Sequence, residues 1–328
     1  MPEVAYWEAI RDTLAEEMRA NPKIFLMGED IGVWGGAYAA TKGLLDEFGP
    51  ERVRDTPISE MAITGAAVGA AMCGYKPVVE IQYMDFLTLA MDQLVNQGAK
   101  NRYMFGGKTT VPLVLRTQGG AGRSIAAQHS QSLEAWFVHV PGLLVAAPST
   151  PADAKGLLRT ALRSEENPVL FLEHKMLYAT RADVPDDDFF SIPFGVANVR
   201  RSGNDLTVVS YGRMANTALA ACEQVAKENE IDAEMIDLRT LKPFDLIAIL
   251  ESVKKTGRVL LCSEAVKTGN FVCELAMRIN EHAFDDLDAP IRRVCALDVP
   301  IPMSPVLEAE VIPSQARIAQ AIRDLAKE

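Results

Sequence analysis

Short apolar runs alternate with segments of helical period along most of this chain. Tyr6, Ile10, Thr13, Leu14 and Met18 recur on one helix face, and Asn21-Pro22 predicts where that helix stops. The run 24–27 reads as a buried strand whose end carries the acids of Gly28-Glu29-Asp30. A glycine-rich loop, 32–36, holds Trp34, after which 43–48 predicts a helical turn and Val53-Arg54 a strand. Residues 61–75 are fifteen uncharged positions built mostly from Ala and Gly. Pro57 biases its neighbour away from the helical region and Ser59 is a natural N-cap, so this helix is expected to begin at or beside Glu60. Its small residues leave room for another backbone or a flat ligand to come close.

The same alternation continues. After strand 78–82, Asp85 is expected to cap a long amphipathic helix with Phe86, Leu89, Leu94 and Val95 on its apolar side, ended by Lys100 and Arg102. Strand 111–116 opens into Gln118-Gly119-Gly120-Ala121-Gly122-Arg123, which leads to Gln128-His129-Ser130-Gln131 and a helix through Trp136. Strand 143–147, a helix to Arg163 with Thr150 as cap and Pro151 first, the turn Asn167-Pro168 and strand 169–172 complete one layered unit. Between 176 and 193 the periodicity fails, and Asp183, Pro185, Asp186, Asp187 and Asp188 make the segment polar. Beyond it, strands at 206–210, 233–238, 258–262 and 291–294 alternate with helices at 215–225, after Pro243 and at 271–279, and Ser314 starts a last helix. The pattern predicts an α/β chain of two doubly wound domains with mostly parallel sheets, at 1–180 and 196–328, joined by a linker at 181–195.

Composition narrows the function more than the fold. The formal net charge of -11 argues against a nucleic-acid surface, which needs concentrated Lys and Arg. No apolar run reaches the roughly 18 residues of a membrane span. Glu3, Glu8, Arg11 and Asp12 interrupt the start too early for a signal-peptide core, so the expected location is the cytoplasm, or an organelle matrix if a transit peptide has been removed. The five cysteines contain no C-x-x-C pair and sit mostly among apolar neighbours, as reduced core thiols do.

Candidate chemistry centres on two residues. Glu60 has two readings: it complements the positive end of its helix, worth about 0.3–1 kcal/mol, or it shares a proton with a bound heterocycle against a tightly packed surface. His129 follows a flexible glycine loop, and an unperturbed pKa of about 6.5 suits it to proton transfer; a structural loop histidine is the other reading. Glu29 ends its strand and could equally anchor the loop beyond. The loop 119–122 lacks a clear helix start behind it and is not assigned to phosphate.

In order and at the right spacing, Gly28-Glu29-Asp30, Asp55-Thr56-Pro57-Ile58-Ser59-Glu60, Gln128-His129-Ser130-Gln131, Val140-Pro141-Gly142-Leu143, Asp153-Ala154-Lys155-Gly156-Leu157 and Asp237-Leu238-Arg239-Thr240 resemble one family over essentially the whole chain. It is the beta subunit of the thiamine-diphosphate-dependent decarboxylase component of 2-oxo acid dehydrogenase complexes. The resemblance implies a pyrimidine-binding domain followed by a transketolase C-terminal-type domain, assembled with an alpha subunit as an alpha2beta2 heterotetramer that passes an acyl group to a lipoyl acyltransferase core. It gives Glu60 the role of activating the aminopyrimidine through N1′, Phe86 that of packing on the same ring, and Gln82 and Glu29 positions lining the cofactor. His129 becomes a proton donor or substrate-orienting residue near the thiazolium. The Gly-Asp-Gly motif with its downstream Asn pair, which such enzymes use to hold magnesium diphosphate, does not occur here. The alpha subunit is therefore expected to supply the diphosphate and magnesium ligands.

The family often holds a potassium ion on backbone carbonyls, and Leu113, Ala161, Leu162 and Asn167 fall in those places, although Ser164-Glu165-Glu166-Asn167 carries one residue more than a common pattern. An ordinary surface turn is the alternative there. Stretches such as Glu173-His174-Lys175 resemble acetoin dehydrogenases, Gln82 in Glu80-Ile81-Gln82-Tyr83 the branched-chain enzymes, and Asp298-Val299-Pro300 the pyruvate enzymes. Pyruvate or acetoin chemistry is placed first, and a branched-chain enzyme, a transketolase-like transferase subunit or a non-catalytic core-docking subunit remain open. A nicotinamide-dependent dehydrogenase would need a Gly-x-Gly-x-x-Gly turn after the first strand, which Gly28-Glu29-Asp30 is not.

Overall fold

The computed structural model describes residues 3–187 and 189–328, so Asp188 of the polar segment lies outside the described residues. Contacts divide the chain into two units. One comprises the residues up to Gly119 with Trp136–Phe194, the other Gly120–Ala135 with Gly195–Glu328. The segment Gly120–Ala135 thus clusters with residues far along the chain, which linear boundaries do not reveal. Arg181–Asp183, at the start of the expected linker, pairs antiparallel with Glu3–Ala5.

The first unit is built on parallel strands in the order Leu144–Ala146, Val169–His174, Val114–Gly119, Lys76–Ile81, Ile24–Gly28 and Val53–Asp55. Every residue of Lys76–Ile81 and of Val114–Gly119 is buried. Burial along the whole strand, rather than at alternate residues, is what a sheet covered on both faces gives. The helix Tyr6–Ala20 packs against Pro151–Arg163, and Tyr6, Ile10, Leu14 and Met18 join Leu26, Leu157, Leu158 and Phe171 in one core. The Thr150 side chain accepts from the Asp153 N–H, capping its helix as the sequence predicts.

The long helix expected after Asp85 takes a different form. A 3₁₀ segment, Met84–Ala90, leads into a π-helical Asp92–Gly98 and then a short α-helix, Ala99–Met104. Tyr83, not Asp85, precedes the first of these. Turns of three and then more than four residues rotate the faces, so Leu94 is buried while Leu89 is 53% exposed. Gly98 lies in this run where an added Cβ would meet Pro168 and Val68.

The second unit has the strand order Arg292–Ala296, Val259–Val266, Leu206–Ser210, Ala233–Asp237 and Asn198–Arg201. All pairs are parallel except the last, which is antiparallel. Asn198–Arg201 has no apolar run to announce it, and its Arg201 guanidinium bonds the Ala233 carbonyl. Leu206, Val208, Ala218, Cys222, Leu260, Ile318 and Ile322 form the core beneath. No helix among the described residues is long and apolar enough to cross a membrane.

Candidate active site at the carboxyl ends of the parallel strands

Register places Gly28 beside both Asp55 and Glu80, so the chain leaves three adjacent strands at one edge of the first unit. That edge is where open parallel sheets bind ligands. Glu29 follows the first of these strands, the segment carrying Glu60 follows the second, and Gln82 the third. The Asp55 carboxylate accepts from the Gly32 N–H at 2.7 Å, and the Thr56 N–H donates to the Gly28 carbonyl at 3.0 Å, fixing the turns between them.

Glu60 is the first residue of the helix Glu60–Met72 and is buried. Ser59 stands at the cap position with no side-chain capping bond; its carbonyl accepts from Ile63 N–H. On the far side of this helix Met61, Ala62, Ala66 and Gly69 are exposed, and space above Gly69 is open. Glu29 is half-buried, and its Oε1 is buried with no hydrogen-bond partner. Burial lifts its carboxyl above the usual carboxylate range, and the charges of Glu60 and Asp30 add to the effect. The structure therefore brings Glu29 and Glu60 into one electrostatic neighbourhood. Gln82 joins them: its Nε2 donates to the Glu29 carbonyl at 3.1 Å and to Glu80 Oε1 at 3.3 Å. Phe86 lies in the 3₁₀ segment and is partly exposed.

Behind Gln82 runs a network that sequence reasoning missed. Arg116, 1% exposed, donates to Glu173 at 2.6 and 2.9 Å and to Glu80 at 2.9 Å. Tyr178 donates a short hydrogen bond to Glu173, and Gln118 Nε2 reaches Glu80 Oε1 at 3.2 Å. Burial alone would lower the Arg116 pKa, but Glu173 and Glu80 outweigh it and raise the pKa. Burial raises Glu173 against the opposing pull of Arg116. The signal was available: Arg116 and Glu173 are charges at the ends of apolar strand runs, and a charge buried in a sheet needs a partner.

His129 belongs to the second unit, on a loop with Ser124 and Ala126 in the left-handed region. That loop is held by two carboxylates. The Ala121 N–H donates to Glu264 at 2.6 Å, the Gly122 N–H to Glu308 at 2.8 Å, and the Ser124 N–H and hydroxyl to the other Glu308 oxygen at 3.1 Å each. The glycine loop's N–H groups are thus engaged from within. Beside it a cavity of about 540 Å³ is lined by Gln128, Ser130, Glu264, Asp298 and Ile301.

The four carbonyls considered for a metal lie around the end of the helix Pro151–Arg163 and the strand Val169–His174. The Leu113 carbonyl accepts from Val169 N–H at 2.8 Å, and Ala161 from Ser164 N–H at 3.1 Å. The Leu162 carbonyl accepts from Lys76 Nζ at 3.3 Å. Asn167 sits in the turn beyond.

A family model described as the transketolase pyrimidine-binding domain matches residues 2–181, and one described as the transketolase C-terminal domain matches residues 195–318. The chain is 46% identical over 316 residues to a pyruvate dehydrogenase E1 component subunit beta of Rhizobium meliloti, covering 96% of this chain and 68% of that protein. It is 46% identical to the acetoin:2,6-dichlorophenolindophenol oxidoreductase subunit beta of Cupriavidus necator, covering 97% and 96%. The 2-oxoisovalerate dehydrogenase subunit beta of Bacillus subtilis is 44% identical, with both chains covered in full. Among solved structures, a split-gene transketolase in an inactive beta4 tetramer superposes with a TM-score of 0.79 at 23% identity over 99% of this chain and 98% of that one, a likeness of fold. By domain content and by these relatives, the chain belongs to the family of beta subunits of 2-oxo acid and acetoin dehydrogenase E1 components, with a transketolase-type pyrimidine-binding domain followed by a transketolase C-terminal domain.

Proposed function

We propose that this chain is the beta subunit of a thiamine-diphosphate-dependent dehydrogenase component acting on a 2-oxo acid or acetoin, with Glu60 as the acid that activates the cofactor. The observation carrying this reading is the pairing of Glu60 with Glu29, whose buried Oε1 lacks a donor, at the carboxyl ends of a parallel sheet. Two carboxylates with an unmet acceptor fit an aminopyrimidine, which offers N–H groups and a protonatable ring nitrogen. When bound, the cofactor would supply a nucleophilic carbon to add to the substrate carbonyl and a cationic ring to take up the electron pair left by decarboxylation or cleavage.

The chain's own residues then have separate tasks. Glu60 holds a proton shared with the ring nitrogen N1′, as acid-base catalysis requires. Glu29, whose buried Oε1 has no donor, would accept a hydrogen bond from the cofactor. Gln82 is oriented by the Glu29 carbonyl and by Glu80, which Arg116 fixes. Phe86 offers its ring as a packing surface. His129 serves as proton donor or substrate-orienting group. The diphosphate and its magnesium are assigned to an alpha subunit in an alpha2beta2 assembly, and the acyl group to a lipoyl domain of an acyltransferase core. Pyruvate and acetoin stand first as substrates, with branched-chain 2-oxo acids the alternative.

The test is co-purification with an alpha partner, followed by a panel of pyruvate, acetoin and branched-chain 2-oxo acids with thiamine diphosphate and magnesium. Glu60→Gln should lower turnover by about 10²–10⁴-fold with the assembly intact. Near-normal turnover in that variant would instead favour a core-docking subunit. Decarboxylation of pyruvate by the isolated chain would overturn the shared site.

A further inference from the structure

We propose that Lys76 is a built-in monovalent cation: its ammonium takes the place, among carbonyls at the end of the helix Pro151–Arg163, that the family resemblance assigns to potassium. Lys76 is the first residue of the buried strand Lys76–Ile81, and its side chain is 9% exposed. Nζ reaches the carbonyls of Leu162 at 3.3 Å and Ser164 at 3.4 Å, and Glu165 Oε1 at 2.5 Å. All three acceptors are oxygens, and two are main-chain carbonyls of the kind that bind a hard monovalent ion.

The location explains why a cation is wanted. The last carbonyls of a helix have no intrahelical partner and carry the negative end of its dipole. A free ion can satisfy them, or a side chain can be delivered to them. Here the strand start delivers one, anchored by the Lys76 N–H on the Lys23 carbonyl at 2.9 Å and by pairing of Lys76 with Ile24. The additional residue in Ser164-Glu165-Glu166-Asn167 contributes to the same site, because Glu165 supplies the carboxylate that balances the ammonium. Lysine and lengthened turn act as one unit. A second cation on the remaining carbonyls would face the ammonium at short range and be repelled. The expected potassium ligands therefore fit a free ion poorly: the Leu162 oxygen is engaged by Lys76, and an ion there would have to share the Leu113 and Ala161 oxygens with backbone N–H groups while sitting beside the ammonium. This inference is independent of the role given to Glu60.

The experiment is thermal unfolding of the full chain in potassium, sodium and choline chloride at matched ionic strength, for the native protein, Lys76→Arg and Lys76→Met. The native midpoint should be the same in all three salts. Lys76→Met should unfold about 4–8 °C lower in choline chloride, as loss of buried charge-assisted bonds implies. Potassium should restore part of that shift, because the vacated carbonyls can then take the ion. Lys76→Arg, which keeps the charge, should lie between. A native midpoint that climbs and saturates with potassium but not choline overturns the proposal by itself, whatever the variants do. So does a Lys76→Met protein that potassium fails to restore, which would make Lys76 an ordinary helix-end contact.

Discussion

Replacing Arg116 by Met tests whether the buried network is an electrostatic assembly or passive packing. The substitution keeps much of the side-chain volume and removes three charge-assisted hydrogen bonds, leaving Glu80 and Glu173 at 3% and 0% side-chain exposure without their cation. At an effective dielectric of about 20, each close pair is worth roughly 4 kcal/mol before desolvation. Breaking a buried pair on one side costs about 3–5 kcal/mol. Protonation limits the damage: holding one proton on a carboxyl of ordinary pKa, about 4.3, costs about 5 kcal/mol near pH 8 and about 1.6 kcal/mol near pH 5.5.

The sign follows from linkage. Burial already raises Glu173 in the native protein, and removing Arg116 raises it further, so the folded variant binds more protons than the unfolded chain above the ordinary carboxylate pKa. Its stability is therefore greatest at low pH and lost as pH rises. Urea unfolding followed by circular dichroism at several pH values should show a deficit of about 3–5 kcal/mol near pH 8 that shrinks to about 1–2 kcal/mol near pH 5.5. A deficit below about 1 kcal/mol near pH 8, or one independent of pH, would falsify the electrostatic reading.

Glu308→Ala should release the Gly122 and Ser124 N–H groups, costing about 1.5–3 kcal/mol, and speed proteolysis within 122–128; unchanged cleavage there would mean the carboxylate does not hold the loop. Burial pushes the Cys222 thiol up to about 12 and Cys262 well above its ordinary value, whereas Cys73 is exposed. Mass spectrometry after brief alkylation should find Cys73 modified and the two core thiols untouched. Thr150→Ala should lower stability by about 1 kcal/mol through loss of the bond to the Asp153 N–H, read from the urea midpoint.

Much of this molecule is legible where a local rule acts alone. The face Tyr6, Ile10, Leu14 and Met18 is buried, the strand Leu206–Ser210 begins and ends where its apolar run does, and Thr150 and Ser314 both cap their helices. Legibility stops where partners distant in sequence decide. Asn198–Arg201 is polar and becomes a strand only by pairing with Ala233–Asp237. The helix after Tyr83 departs from α geometry, and no residue in it states that the turn width will change. In the site, the strand ends bearing Glu29 and Gln82 follow from alternation, but the partnership of Arg116 with Glu80 and Glu173 spans 36 and 57 positions. The role of Lys76 depends on a turn 89 residues away.

The carboxylates of Glu264 and Glu308 have a bearing on modularity. The match to a pyrimidine-binding domain runs to residue 181, yet the loop 120–135 inside it is fastened by side chains that the chain supplies only at 264 and 308. A gene cut at the apparent domain border would give a first half whose histidine loop had lost its anchors. The two halves of this sequence are therefore not interchangeable cassettes: recombination between relatives must carry Glu264 and Glu308 together with the loop bearing His129, or leave that loop's main-chain N–H groups unmet.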